Sequence, residues 1–111
     1  MKKEHILKKN IDFQQIIKNN RPIKYKEYIL YIEKKAEDNY YFGFSVGKKI
    51  GKAVLRNKIK RQLKNIVSKN DYQNGFICII IVNRNILTKS FLEKEEDLVY
   101  ILNKNKLIKE K

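Results

Sequence analysis

The chain is short of the residues on which several kinds of protein depend. It has one cysteine, Cys78, and one histidine, His5, a set that supports neither a zinc site nor a Cys/His nucleophile arrangement. Cys78 sits inside an apolar run and is expected to be a buried, reduced thiol of a cytoplasmic protein. That run, Phe76 to Val82, is the longest apolar stretch and has seven residues, against the ~20 needed to span a bilayer, so no membrane partner is predicted. Met1-Lys2-Lys3 leads into Glu4 and His5 and not into an apolar segment, so no signal peptide is expected. Glycine-rich phosphate loops of the Walker type are absent. The acids Glu4, Asp12, Glu27, Glu33, Glu37, Asp38, Asp71 and Glu110 are scattered. Only Glu93, Glu95, Glu96 and Asp97 stand together, and five consecutive helical residues point in diverging directions. Two-metal phosphodiester cleavage requires carboxylates converging on ions about 4 Å apart, so neither catalytic residues nor a protein metal site are predicted here.

What the chain has is positive charge. Its 111 residues carry 26 Lys+Arg against 12 Asp+Glu, a net charge of +14, enough for one domain with one core and suited to a polyanionic partner. The excess is concentrated. No acid occurs between Asp38 and Asp71, while Lys48, Lys49, Lys52, Arg56, Lys58, Lys60, Arg61, Lys64 and Lys69 supply nine cations. Gly47 and Gly51 bracket a loop, and proline-free helix formers predict a helix over Lys52 to Ser68. Leu55, Ile59, Leu63 and Ile66 form its apolar stripe, and Arg56, Asn57, Lys60, Arg61 and Lys64 share a separate arc of roughly 140°. Like-charge pairs such as Arg56/Lys60 and Lys60/Lys64 each destabilise an isolated helix by about 0.2–0.5 kcal/mol. A phosphate backbone reverses that sign, and Arg and Asn add forked or two-way hydrogen bonding.

At these residues, Ser45-Val-Gly-Lys-Lys-Ile-Gly-Lys-Ala-Val-Leu-Arg-Asn-Lys-Ile-Lys-Arg61, the sequence resembles the signature of the bacterial ribonuclease P protein component. In that family a Lys-Lys-x-Gly loop leads into a helix carrying Ala-Val-x-Arg-Asn-Arg/Lys-x-Lys-Arg. Looser likeness covers almost the whole chain, including Leu7 to Phe13. The resemblance implies a catalytic RNA partner that binds Mg²⁺ and cuts precursor tRNA to leave its mature 5′ end. It assigns Lys48, Lys49, Lys52, Arg56, Asn57, Lys58, Lys60, Arg61 and Lys64 to that RNA. Phe13, Ile17, Tyr28, Tyr31, Ser45 and Arg84 fall to a cleft for the single-stranded 5′ leader. Ile17 stands where an aromatic is common, and Lys58 where many relatives have Arg; Gln62 to Asn65 replaces a more Arg- and Glu-rich continuation.

Along the chain, residues 1–9 read as a flexible basic arm with His5 an exposed polar residue. Asp12 is placed to cap a short helix bearing Phe13, Ile16 and Ile17 that ends near Asn19-Asn20. Phe13 is equally readable as ordinary core. Ile23 to Lys35 reads as one extended segment, Glu37-Asp38-Asn39 as the turn of a hairpin, and Tyr40 to Val46 as its return strand. In that strand Tyr40, Phe42, Phe44 and Val46 alternate with Tyr41, Gly43 and Ser45, giving one bulky face and one mostly small face open to close approach. Phe76 to Val82, apolar throughout, reads as a strand covered on both faces. A final helix is expected over Thr88 to Lys104, with Phe91, Leu92, Leu98, Val99 and Leu102 on its apolar side and a flexible tail over residues 105–111.

Together these readings predict a single α+β RNA-binding domain. It has a small mixed sheet of about four strands, about three helices and a split βαβ crossover through the basic helix. Such crossovers are normally right-handed, whereas the resemblance implies a left-handed one. The expected role is the protein subunit of ribonuclease P, with no obligatory protein partner. A non-enzymatic structural RNA-binding protein, such as a ribosomal protein, is the alternative, and the extended loop-helix signature argues against it. A DNA-binding helix module is weaker still, because no helix joined by a short turn precedes the basic one.

Overall fold

The computed structural model describes residues 5–7 and 11–109, with backbone alone for residues 11 and 12. Helix α1 (Ile11–Asn19) is followed by strands β1 (Ile23–Tyr25), β2 (Tyr28–Lys34) and β3 (Tyr40–Ser45). Then come helix α2 (Ala53–Ser68), strand β4 (Phe76–Val82) and helix α3 (Phe91–Lys104). Short 3₁₀ turns at Lys48–Ile50 and Arg84–Thr88 precede α2 and α3. The four strands form one mixed sheet in the order β1-β2-β4-β3. Strand β4 is parallel to β3, with α2 as the crossover between them, and antiparallel to β2. This is the predicted α+β architecture with a split βαβ unit.

The sheet order corrects one expectation. Strands β2 and β3 flank β4 and form no hairpin, so Glu37 to Asn39 lies in a connection across the sheet end, where Lys35 and Asn39 both bond to Gly75. The expected long strand from Ile23 is also broken, since Lys26 takes φ 49° and turns β1 back antiparallel onto β2. Strand β4 is paired on both edges and packed on both faces, which explains why none of its seven positions is polar.

Alternation in the strands builds two cores. Phe42, Phe44, Val46, Phe76, Cys78, Ile80, Val82, Tyr28 and Leu30 face α2 and α3, where Ile59, Leu63, Ile66, Val67, Leu98, Ile101 and Leu102 complete the main core. The buried Cys78 thiol belongs to this side. Phe13 and Ile16 of α1 cover the other face over Ile77 and Ile79.

Helix α3 begins at Phe91 and not at Thr88, because Ser90 accepts the Glu93 amide while Glu93 accepts that of Ser90. Thr88 closes the preceding 3₁₀ turn instead. Phe91 and Leu92, expected on the apolar side, are exposed, and Ile101 takes their place in the core. Neither end behaves as an unstructured tail within the described residues. Ile6 bridges Phe42 and the Leu7 amide donates to its carbonyl, while His5 is half-buried and stacks on Tyr40 at 4.0 Å. At the other end Leu107 is buried, its carbonyl accepts the Gln73 amide, and Ile108 bridges Tyr72. Residues 1–4, 8–10, 110 and 111 lie outside the described residues, as does any capping by the Asp12 side chain.

Candidate nucleic-acid interface

Helix α2 sorts its side chains as its 3.6-residue period requires. Ile59, Leu63, Ile66 and Val67 are buried and Leu55 is half-buried, while Asn57, Lys58 and Arg61 are exposed on the far side. Arg56, Lys60 and Lys64 lie at the border between the faces and are half-buried, their stems packed and their charges outward, as long cationic side chains tend to be. Lys48, Lys49 and Lys52 are exposed on the preceding loop. Among the described residues, ion pairs engage Lys26, Lys35, Lys69 and Lys89; Lys48, Lys49, Lys52, Arg56, Lys58, Arg61 and Lys64 have none.

The N-terminus of α2 adds to this field. Lys52 occupies the cap position without a side-chain cap bond, and the first turn contains no acid. The amides left free there, with the positive end of the helix dipole, face the loop lysines. Gly51 makes the entry possible, since its φ of 152° suits glycine and a Cβ would come within 2.9 Å of Leu55 Cδ2. Arg56 Nε donates to the Gly51 carbonyl at 3.1 Å and ties the guanidinium to the loop. Lysines, free amides and a forked guanidinium are the kinds of group that bind phosphates.

A second surface lies on the opposite side of the sheet. The strand register sets three rows across that face: Tyr41–Ile77–Glu33, Gly43–Ile79–Tyr31 and Ser45–Ile81–Ile29. Phe13 of α1 seats on Gly43, where a Cβ would lie 2.5 Å from the ring Cζ. The first two rows are packed beneath or beside α1. In the third, Ser45, Ile81 and Ile29 are half-buried, with Ile81 packed against the cluster that α1 covers, and Lys24, paired with Ile29, is exposed at the sheet edge. Ile17 and Tyr31 flank the row, both half-buried, and Arg84 is exposed just beyond the end of β4. A cavity of about 510 Å³ lies by the first row, with Glu33 and Glu37 balanced by Lys34 and Lys35 in its wall.

Two of the residues that the resemblance assigns to a leader cleft are buried, Phe13 as the core residue it was equally readable as. Phe13 is 8% exposed, its ring pressed on Gly43. Tyr28 is wholly buried on the main-core side, and its hydroxyl donates to the Lys94 carbonyl at 2.9 Å, so neither ring presents a free face for a base. Ser45 is a member of the third row, Ile17 and Tyr31 pack with Ile81 on the cluster that α1 covers, and Arg84 follows the end of β4. Ile29, Ile81 and Lys24 belong to the row and were not singled out in the sequence; strand alternation was the only signal, and it needed the β2–β4 register to be read. Three of the four acids near the start of α3 are drawn apart by different neighbours. Glu93 caps the helix, Glu95 pairs with Lys69 at 2.7 Å, and Asp97 turns inward to Lys26 at 3.3 Å. No group of three or more metal-ligating side chains occurs among the described residues.

Comparison with known proteins identifies the fold and the family. The model of the Ribonuclease P family matches residues 1–106. The ribonuclease P protein component of Mycoplasma capricolum is 37% identical, with 99% of this chain and 98% of that one covered. Among solved structures, the RNase P protein of Staphylococcus aureus superposes with a TM-score of 0.83 at 30% identity, over 95% of this chain and 98% of that one. The RNase P protein of Thermotoga maritima gives 0.77 at 26% identity, over 85% and 91%. With nearly its whole length matched in sequence and in fold, the chain belongs to the ribonuclease P protein component family.

Proposed function

We propose that the chain acts in the cytoplasm as the protein subunit of ribonuclease P and divides two RNA contacts between the two sides of its sheet. The observation that carries this reading is the ridge of α2 and its loop, where Lys48, Lys49, Lys52, Arg56, Lys58, Arg61 and Lys64 have no ion pair among the described residues while Lys26, Lys35, Lys69 and Lys89 do. Lys48, Lys49, Lys52, Arg56, Asn57, Lys58, Lys60, Arg61 and Lys64 bind the catalytic RNA by neutralising its phosphates. The row Ser45–Ile81–Ile29, with Lys24, Ile17, Tyr31 and Arg84 around it, holds the 5′ leader of precursor tRNA. Half-exposed isoleucines give bases an apolar floor, and Lys24 and Arg84 meet the strand's phosphates. Phe13 acts indirectly, by fixing the distance of α1 from the row.

Cleavage belongs to the RNA partner, which holds the Mg²⁺ ions; the protein contributes positioning and charge. Each neutralised phosphate releases counterions, so affinity falls with salt at a slope of about 0.7–0.9 per contact. Arg56→Ala combined with Arg61→Ala should weaken binding to ribonuclease P RNA and lower that slope by about one to two. A filter-binding titration from low to high salt measures it. An unchanged slope would remove the ridge as the contact surface.

A further inference from the structure

Glu27 is the most anomalous side chain in this basic protein. It is wholly buried in the turn between β1 and β2, and neither carboxyl oxygen has a hydrogen-bond partner among the described residues. The neighbouring Asp97 of α3 is in a similar state, since its Oδ2 is buried and unpartnered while Oδ1 takes Lys26 Nζ at 3.3 Å. Two buried carboxylates side by side, one without any donor, are costly in their ionised forms. A neutral acid has what the site lacks, an O–H donor.

The surroundings give this pair a mechanical role. The Asn83 amide donates to the Glu27 carbonyl at 3.0 Å, and Asn83 Nδ2 donates to the Lys26 carbonyl at 3.0 Å. Asn83 also caps the 3₁₀ turn that begins at Arg84, accepting the Asn85 amide at 2.9 Å. The far end of that turn is Lys89, whose Nζ lies 3.9 Å from Asp97 Oδ2. Both ends of the turn are therefore tied to the Glu27–Asp97 cluster.

We propose that Glu27 is kept as a neutral carboxylic acid sharing its proton with Asp97, and that this proton-sharing pair is a positioning device holding the Arg84 turn at the rim of the leader groove. The inference rests on the reading of that groove given above. The charged and titratable groups facing the pair are Lys26 from the β1–β2 turn, Lys89 from the 3₁₀ turn, and Glu93 and Lys94 from α3, the Lys94 Nζ engaged by Gln62 Oε1, with Tyr28 beside them. One proton leaves a single negative charge between Lys26 and Lys89. A divalent cation would instead sit beside two ammonium groups with only two carboxylates to hold it, far short of the six oxygens such ions prefer. Burial, together with the adjoining Asp97, pushes the Glu27 carboxyl up to about 7, in keeping with the geometry.

The test follows the side-chain carboxyl carbons of the full chain, labelled at glutamate, by NMR from pH 4.5 to 9. Glu27 is expected to titrate well above the other glutamates, and the amides of Asn83, Arg84 and Asn85 to follow the same transition. Glu27→Gln keeps the fold and a donor toward Asp97, so those amides should stay at their low-pH positions throughout. Titration of Glu27 together with the exposed glutamates would overturn the proposal, as would amides of the turn that ignore the transition, or a transition that moves with added Mg²⁺. In the complex with ribonuclease P RNA, the ratio of precursor to mature tRNA affinity should fall over the same pH window and stay flat for Glu27→Gln. If the NMR transition is present and this ratio is flat for both proteins, the proton-sharing pair stands and the placing of Arg84 in the leader groove fails.

Discussion

Replacing Gly43 by alanine would test whether α1 is seated or merely resting on the sheet. The added methyl would lie 2.5 Å from Phe13 Cζ and 3.0 and 3.1 Å from the Cε atoms, against the ~3.5–4.0 Å of a comfortable carbon contact. The ring has to retreat by about 1 Å, yet it is enclosed by Ile16, Ile77 and Ile79, so the movement must pass to α1. Overpacking of this kind costs about 1–3 kcal/mol. Taking ~2 kcal/mol and an unfolding entropy of about 0.23 kcal/mol/K for a domain of this length, the Tm should fall by about 9 °C. Phe13→Ala alone should cost ~3 kcal/mol through its cavity. In that background Gly43→Ala has nothing to strike, so its penalty should vanish, a coupling of about 2 kcal/mol. Urea unfolding of the four proteins in a double-mutant cycle measures it. Additivity within ~0.5 kcal/mol would show that the ring does not press on Gly43 and would refute the seating of α1. Because α2 lies on the other side of the sheet, Gly43→Ala should leave affinity for the catalytic RNA unchanged while reducing the preference for precursor over mature tRNA.

Two further outcomes bear on stability. Ser90→Ala removes one arm of the capping box at the start of α3 and should cost ~1 kcal/mol by thermal or urea unfolding, with RNA binding unchanged. The pH dependence of stability should carry the mark of Glu27. Its carboxyl lies near 7 in the folded chain against an ordinary 4.5, so between these values the folded state holds the extra proton. Stability attributable to this group is therefore complete below about pH 4.5, falls as pH rises toward 7, and is flat above, a loss on the order of 3 kcal/mol. Glu27→Gln should abolish that loss, so the wild type should lose stability relative to the variant as pH rises from 5 to 8. A constant difference between the two would contradict a raised Glu27.

Much of the fold was legible because its strongest patterns are local. The stripe Leu55–Ile59–Leu63–Ile66 names the buried side of α2, the run Phe76 to Val82 names the central strand, and the alternation in β3 names its two faces. Pairing is not local. Three polar residues after β2 look like a hairpin turn, and only the full sheet shows β4 inserted between β2 and β3. The same holds for the groove. Phe13 on a short helix reads equally as a stacking residue or as core, and the residue that decides for core, Gly43 on the small face of β3, is thirty positions away. Nothing distinguishes Glu27 from any acid in a turn until Asp97, seventy positions later, is folded against it.

The distribution of charge argues that the basic surface is organised and not only a by-product of a lysine-rich composition. With 26 cations and 12 acids, random placement would leave some acids beside α2. Instead, the acids of α3 serve the α3 side: Asp97 takes Lys26 and Lys89, and Glu95 takes Lys69 at the C-terminal end of the basic helix. Glu33, on β2, takes Lys35. On the ridge, Lys48, Lys49, Lys52, Arg56, Lys58, Arg61 and Lys64 gain no such ion pair among the described residues, although like-charge neighbours weaken the helix they stand on. A sequence selected for stability alone would put an acid one turn from Arg56 or Arg61. Its absence over 32 residues, in a protein that has acids to spend elsewhere, is what a surface awaiting a polyanion requires.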